Sequence, residues 1–470
     1  MTRGSTSKGR ARAERIVLPP ARPLVKGEDH GSPIRVSAAT VGASGERWID
    51  PFLTVNAAAL RRLAITPEVS TVGGAHLRLN PGAHIGAVPL LAPRTQRIVA
   101  GLLIEPRFKW PALGAVFTAI GFSAEPRLGG AGLVPGSARE VPAWMLAAPV
   151  LRRLEGLLAH RRRGFVERSE SRSSPRGRVD WGAWARRDVP AGRWTMLPCT
   201  FTEPADDPVL MAAVRWTLDR IAGELDLLPD APAARALRER VYVLTSAVGP
   251  GALRRPDATL AGAENAWIAD ALQAMGWVAE ERGMGGAQSL DGLAWDLAVD
   301  QVWEAWVARF LADLAPRIGL TVRGNLRHGL NWQGHVASMG SLVPDAALIG
   351  ANRALWVDAK YKSHLSDLAR FGWKGLSEIA QERHRADLHQ ALSYATLANV
   401  DQVDTVLAYP HLGDALTRPP VAIATVASGR RRVRLVLAGL PFGFRSPEVR
   451  ERALEGWREW VGGGPESMPA

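Results

Sequence analysis

The sequence predicts a multidomain α/β protein, with a strand-rich N-terminal domain, a helical middle domain and a C-terminal mixed sheet flanked by helices. Three observations predict it. Short apolar runs broken by Pro and Gly dominate the first third; a helical apolar period follows; beyond residue 285 helix and strand signals alternate. With 470 residues the chain has room for two or three domains. Its 47% hydrophobic and 22% charged content belongs to a globular protein that can bury a sizeable core.

Residues 1–35 mix Arg, Lys, Ser, Gly and Pro with little periodicity, which predicts a flexible basic tail. Residues 36–150 hold apolar runs such as 75–80 and 98–104, read as strands of a domain for partner or DNA interaction, with a helix near 112–120. Residues 151–284 shift to helical spacing, as in 209–218 and 233–244, and predict a mostly helical, basic connecting domain. Residues 285–440 alternate helix and strand, and 441–470 form a C-terminal helix and tail.

Charge and cysteine usage narrow the function classes. Basic residues outnumber acidic ones 58 to 46, giving a net charge of +12 that suits a polyanionic partner, although a genome rich in Arg codons produces the same excess. Between Arg152 and Asp188 eleven Arg face five acidic residues. Arg161, Arg162, Arg163, Arg176 and Arg178 are its candidate phosphate contacts, and a solvated helix face beside an exposed loop reads the same way. A single cysteine, Cys199, excludes an internal disulfide framework and any cysteine-ligated metal cluster within one chain. Without the apolar core of a secretory signal or a long apolar span, a soluble cytoplasmic protein is expected, with no membrane contact. There is no internal repeat, no G-x-x-x-x-G-K-[ST] phosphate loop and no H-E-x-x-H, so neither a built-in nucleotide motor nor a zinc hydrolase of that type is expected.

The chemistry concentrates between Ser341 and Lys362, a stretch that reads as two strands joined by a turn at Gly350 to Arg353. Pairing about the middle of that turn sets Asp345 directly across from Asp358. Cβ atoms of such neighbours lie roughly 4.5–5.5 Å apart, close enough for both carboxylates to share one hard divalent cation. Strand alternation puts Trp356, Asp358, Lys360 and Lys362 on one face and Leu355, Val357, Ala359 and Tyr361 on the other, so the apolar set anchors the strand and the charged set borders a cleft. Lys360 can then orient or help deprotonate a water attacking a metal-bound phosphate.

Lysine usage sharpens the point, because only six of the 58 basic residues are lysine: Lys8, Lys26, Lys109, Lys360, Lys362 and Lys374. A chain that otherwise writes Arg keeps a compact, tunable amine twice beside Asp358. Upstream, 300–314 reads as an amphipathic helix with Trp303, Trp306, Val307, Phe310, Leu311 and Leu314 on its buried stripe and Glu304 at the margin. On spacing alone a solvated Glu304 is the more frequent reading, although a carboxylate at that margin can also reach a metal site in the neighbouring sheet. The histidines His328, His335, His364, His384 and His389 show no ligand-like pairing and are read as surface groups or neighbours of the site, His389 nearest to it. The 17 Trp are read as core more than as base-stacking platforms, with Trp356 open to either role.

Pro344-Asp345 followed, after an apolar strand, by Asp358-Ala359-Lys360 resembles the PD-(D/E)xK nuclease motif. More specifically, residues 357–362 followed by 387–395 resemble the nuclease domain of McrC, the cleavage subunit of McrBC-type restriction systems. Residues 176–180, 199–203 and 206–210 resemble that family's helical middle region, except that Val209 stands where an Asn often follows the acidic cluster. Trp303-Glu304-Ala305-Trp306 resembles its first nuclease helix, and residues 104–107 are vaguely similar to a strand motif near the N-terminus. The resemblance covers about residues 140–410. It implies a restriction-endonuclease-like mixed sheet and an endonuclease that hydrolyses DNA phosphodiester bonds with Mg²⁺, Mn²⁺ substituting. Its catalytic residues would be Glu304, Asp345, Asp358, Lys360 and Gln390, its metal ligands Glu304, Asp345, Asp358 and Ala359, with Lys362 on the DNA. The implied partners are double-stranded DNA and an AAA+ GTPase of the McrB type, which in that family drives restriction of DNA carrying modified cytosine and itself does most of the reading of the modified base. Two alternatives remain on sequence grounds: a nuclease working without a motor, and a noncatalytic DNA-binding scaffold.

Overall fold

Sheets built from strands far apart in sequence carry the architecture of this computed structural model, which describes residues 22–43, 47–71, 75–161, 163–257, 265–282, 291–324, 326–330, 333, 340–411, 420–428 and 431–462. The first sheet has the strand order Leu24–Glu28, Ile98–Glu105, His84–Leu91, Gly292–Ala298, Arg127–Val134. Its first pair is parallel and the rest antiparallel. The basic tail expected over 1–35 is therefore shorter on the described side: Leu24–Glu28 and Ile34–Val36 are strands, because Leu24 and Val25 pack against the core and Ile34 and Val36 alternate into it. Residues 1–21 lie outside the described residues. Gly292–Ala298, assigned by sequence to the C-terminal unit, crosses back into this first sheet. There Asp296, fully buried, accepts hydrogen bonds from Arg62 and Arg127. Only that long-range pairing places the strand, and no local signal announces it.

The middle segment carries the expected helices, Ala143–His160, Pro208–Asp226, Pro232–Val248 and Ala266–Ala279. It also carries an antiparallel sheet that the helical reading missed, with Gly164–Arg172 and Arg178–Val179 flanking Leu197–Ala205. Residues of Gly164–Arg172 are almost all exposed, so no hydrophobic alternation marks the strand. It is held instead across the strands: Ser169 Oγ meets Thr200 Oγ1 at 3.0 Å, and the Arg172 and Arg176 guanidinium groups lie over the Phe201 ring.

The C-terminal sheet runs Thr321–Gly324, Ala346–Ile349, Arg353–Ala359, Gln402–His411, Arg431–Pro441, Val421–Ser428. Its three central strands are parallel and its outer pairs antiparallel. Helices His364–Gly375 and Glu378–Tyr394 make the crossover between the first two parallel strands. One face packs on the helix Val299–Leu314, whose whole predicted stripe is buried. The helix Pro447–Gly462 joins that helix, burying Trp457 with its Nε1 donating to Gly439 O at 3.1 Å. The opposite face is covered by Glu378–Tyr394, which lays Ala391 and Tyr394 over it. At the end of the strands away from Asp358, buried Asp404 accepts from Arg353 and Arg434 and ties three strands together. No helix among the described residues is long and apolar enough to cross a membrane.

A buried polar contact joins the first sheet to the strand of Asp358. Tyr361 Oη donates to Asp29 Oδ2 at 2.7 Å, the main-chain N–H of Arg107 donates to Asp29 Oδ1 at 2.7 Å, and the Arg107 guanidinium sits 4.4 Å from the Tyr361 ring centre. Phe108 and Phe442 pack around the same ring. Tyr361→Phe keeps the packing and leaves a buried carboxylate short of a donor, so it is expected to cost about 1–3 kcal/mol. Urea unfolding monitored by tryptophan fluorescence measures it, and an unchanged midpoint would show that the contact carries no stability.

Candidate active site

The hairpin register decides the site. Ala346 pairs with Val357, Ala347 with Trp356, Leu348 with Leu355 and Ile349 with Ala354. Gly350 N donates to Arg353 O at 2.9 Å and closes the turn. Continuing that register by one residue sets Asp345 across from Asp358, as the sequence spacing predicts. Leu355, Val357 and Tyr361 enter the main core while Trp356 and Asp358 face the other side. That other side is not an open cleft at Trp356, which is buried against Tyr394 by the covering helix and is a core residue. Only beyond Asp358 does the charged row approach solvent, with the Lys360 and Lys362 side chains 15% and 34% exposed.

Asp358 is 4% exposed and Lys360 extends past it. Lys360 Nζ lies 2.8 Å from Asp358 Oδ2, donates to Gln390 Oε1 at 2.9 Å and stands 3.8 Å from Asp387 Oδ1. Gln390 in turn donates from Nε2 to Tyr394 Oη at 2.8 Å. Asp345 Oδ2 accepts from the Ala359 main-chain N–H at 2.7 Å, so Ala359 enters the site through its backbone. Burial, then the facing Asp358 charge, push the Asp345 carboxyl up to about 7, with Glu304 adding to the rise and the Ala359 N–H opposing it. Glu304 is exposed at the margin of its helix yet close enough to feel this cluster: partial burial, Asp300 and Asp358 raise its carboxyl, and Lys360 lowers it. The structure thus brings together Glu304, Asp345, Asp358, Ala359, Lys360 and Gln390.

The candidate phosphate contacts are scattered by comparison. Lys362 Nζ is held by both oxygens of Asp387, at 2.8 and 2.7 Å. Arg161 and Arg163 share Asp206 at one end of the exposed sheet, with nitrogen–oxygen distances of 2.8 and 3.3 Å. Arg176 lies 3.6 Å from Glu203 and over Phe201, and Arg178 is exposed on the short strand. Arg162 lies outside the described residues. His389, read as the nearest histidine, is exposed, because it projects from the solvent side of a helix whose inward row is His384, Asp387, Ala391 and Tyr394. The histidines beside the site are His364 and His384, which lie with Asp387; all three are buried, and burial holds both imidazoles below their ordinary pKa. Sequence reasoning named His364 and His384 as surface groups or neighbours of the site without pairing them, and gave Asp387 and Tyr394 no role of their own. The available signal was the spacing of 384, 387, 391 and 394 along one helix face, running past Gln390.

The facing carboxylates give a pH signature. Folding keeps Asp345 protonated where the unfolded chain ionises it, so the associated stability is whole below about pH 4 and is lost as the pH rises through about 7. Without divalent cations, Asp345→Asn is expected to melt above wild type at about pH 8 and to lose most of that advantage by about pH 5. Thermal melts across the range test it; an equal difference at both ends would contradict the coupling.

No protein-family model matches the chain, and no curated protein does. Among solved structures, a half-complex of Thermococcus gammatolerans McrB AAA+ hexamers with bound McrC is 12% identical with a TM-score of 0.43, over 93% of this chain and 100% of that one. The Thermococcus gammatolerans McrBC complex is 12% identical with a TM-score of 0.23, over 62% of this chain and 87% of that one. Both are coarse likenesses of chain course, and the functional reading rests on the side chains gathered at Asp345, Asp358 and Lys360.

Proposed function

We propose that this chain is a metal-dependent DNA endonuclease, acting as the McrC-like cleavage subunit of a restriction system driven by an AAA+ GTPase partner of the McrB type. The observation that carries the reading is the pair of facing carboxylates with Lys360 between Asp358 and Gln390. The residues present fit a hard divalent cation. Asp358 Oδ2 is buried without an aligned hydrogen-bond donor among the described residues, and Asp345 is driven toward protonation by burial and by the facing Asp358 charge, both of which a cation would offset. Asp345 and Asp358 would hold Mg²⁺ or Mn²⁺, with Glu304 and the Ala359 main chain beside them. A bound ion supplies charge to the phosphate and acidity to a water. The chain's own part is positional. Asp358 and Gln390 fix the Lys360 ammonium, which directs the water oxygen at phosphorus as the bond from phosphorus to one sugar oxygen breaks. Tyr394 fixes Gln390. The net charge of +12 and the exposed Arg163, Arg176 and Arg178 support DNA as the substrate, while Arg161 and Lys362 are held by Asp206 and Asp387.

Plasmid cleavage tests it, with modified and unmodified DNA, Mg²⁺ or Mn²⁺, and the genomic AAA+ neighbour with GTP present or omitted. Wild type is expected to cut only with metal, the partner and GTP, and Asp358→Ala to leave the DNA intact. Cutting without the partner points to a nuclease that needs no motor; DNA binding without cutting in every combination points to a scaffold and overturns the proposal. Gln390→Ala, which removes an acceptor from Lys360 without touching either carboxylate, is expected to slow cleavage by roughly 10–100-fold while retaining metal dependence. An unaffected rate would remove Gln390 from the site.

A further inference from the structure

Three donors that the proposed reaction does not use lie beside the cleft. His364 opens the helix His364–Gly375, and His384 and Asp387 sit three residues apart on the helix Glu378–Tyr394. That interval puts both side chains on one helix face. One ligand atom from each of the three lies within 4.8 Å of the others, and the residues are only 9%, 2% and 5% exposed. The two imidazole rings stack, with centroids 5.5 Å apart and planes 20° from parallel. His384 Nδ1 is 3.4 Å from Tyr409 Oη. With Nδ1 donating to that phenol oxygen, the Nε2 lone pair is free for another partner, an arrangement typical of metal-ligating histidines.

We propose that His364, His384 and Asp387 form a second divalent-cation site, one that takes a borderline ion of the Zn²⁺ class and is separate from the carboxylate pair at Asp345 and Asp358. The donor chemistry separates the two. Two imidazole nitrogens and one carboxylate suit Zn²⁺ and its neighbours, whereas Mg²⁺ prefers oxygen ligands throughout. Metal–ligand bonds of about 2.0–2.2 Å place tetrahedral ligand atoms about 3.5 Å apart, so an inward shift of about 1 Å closes the set and leaves the fourth position to water. Asp387 is the shared element. Both its oxygens now hold Lys362 Nζ, and Lys360 Nζ stands 3.8 Å away. A dication on Asp387 competes with Lys362, whose side chain is 34% exposed and can swing into solvent. Metal loading therefore releases a cation at the rim of the cleft and pins together the two crossover helices, one of which carries Gln390.

The test uses the full chain, stripped with chelator, loaded with Zn²⁺, desalted and assayed for metal content. Wild type is expected to retain a single equivalent of Zn²⁺, and the Asp345→Asn/Asp358→Asn double variant to retain it as well. His384→Ala should lose it, and Lys362→Met, which removes the competing cation, should bind several-fold more tightly in a competition titration. Thermal melts of the metal-free forms identify a variant that fails to fold. Should His384→Ala fail, His364→Gln replaces it and Co²⁺ absorption of wild type reports imidazole ligation directly. Failure of wild type to retain Zn²⁺, or loss of Zn²⁺ in the carboxylate variant with retention in His384→Ala, overturns the second site. Neither outcome depends on DNA cleavage, so the nuclease reading stands or falls separately.

Discussion

The arrangement depends most on one unfavourable contact, two carboxylates held face to face by an antiparallel hairpin. Asp345 and Asp358 cannot move apart without breaking the register Ala346–Val357 through Ile349–Ala354. A one-residue slip would also turn Leu355 and Val357 out of the core. Apolar burial on the one face thus enforces charge repulsion on the other. Burial, with this repulsion added to it, pushes the Asp345 carboxyl up to about 7. A free chain would relieve it; this fold preserves it.

The surrounding structure is arranged to hold that strand from several directions. Trp303 Nε1 donates to Ala408 O at 3.2 Å, and Lys360 N donates to the same carbonyl at 2.8 Å, so helix and strand are fixed at one point of the neighbouring strand. Tyr361 reaches the opposite way, to Asp29 in the first sheet. The three residues Lys360, Tyr361 and Lys362 therefore alternate between the site and a buried joint with the N-terminal part of the chain. The contact at Tyr361 ties the first sheet to the strand three residues beyond Asp358.

Two acidic centres with different neighbours adjoin each other. Asp358 faces another carboxylate, and Asp387 faces two imidazoles and Lys362. Lys360 lies between them, within 2.8 Å of one and 3.8 Å of the other. Hard oxygen donors on one side and mixed nitrogen and oxygen donors on the other are chemically distinct environments only a side chain apart.

The sequence by itself determined the local features: the hairpin and its register, the buried stripe of Val299–Leu314, the alternation along Arg353–Ala359 and the retention of lysine where Arg was the habit. Each follows from a short-range rule, a turn length, a period or a residue preference, so one stretch of chain suffices to read it. Only the tertiary structure decided which distant segments meet. The pairing of Gly292–Ala298 with the first sheet rests on Asp296 meeting Arg62 and Arg127, and the joint at Tyr361 rests on Asp29. The strand Gly164–Arg172 carries no apolar alternation because nearly all its side chains look to solvent, and the convergence of His364 with His384 depends on how two helices fold over a parallel strand. Such contacts are long-range and polar, and their energies arise only once the chain has closed around them, which is why no pattern within a single segment announces them.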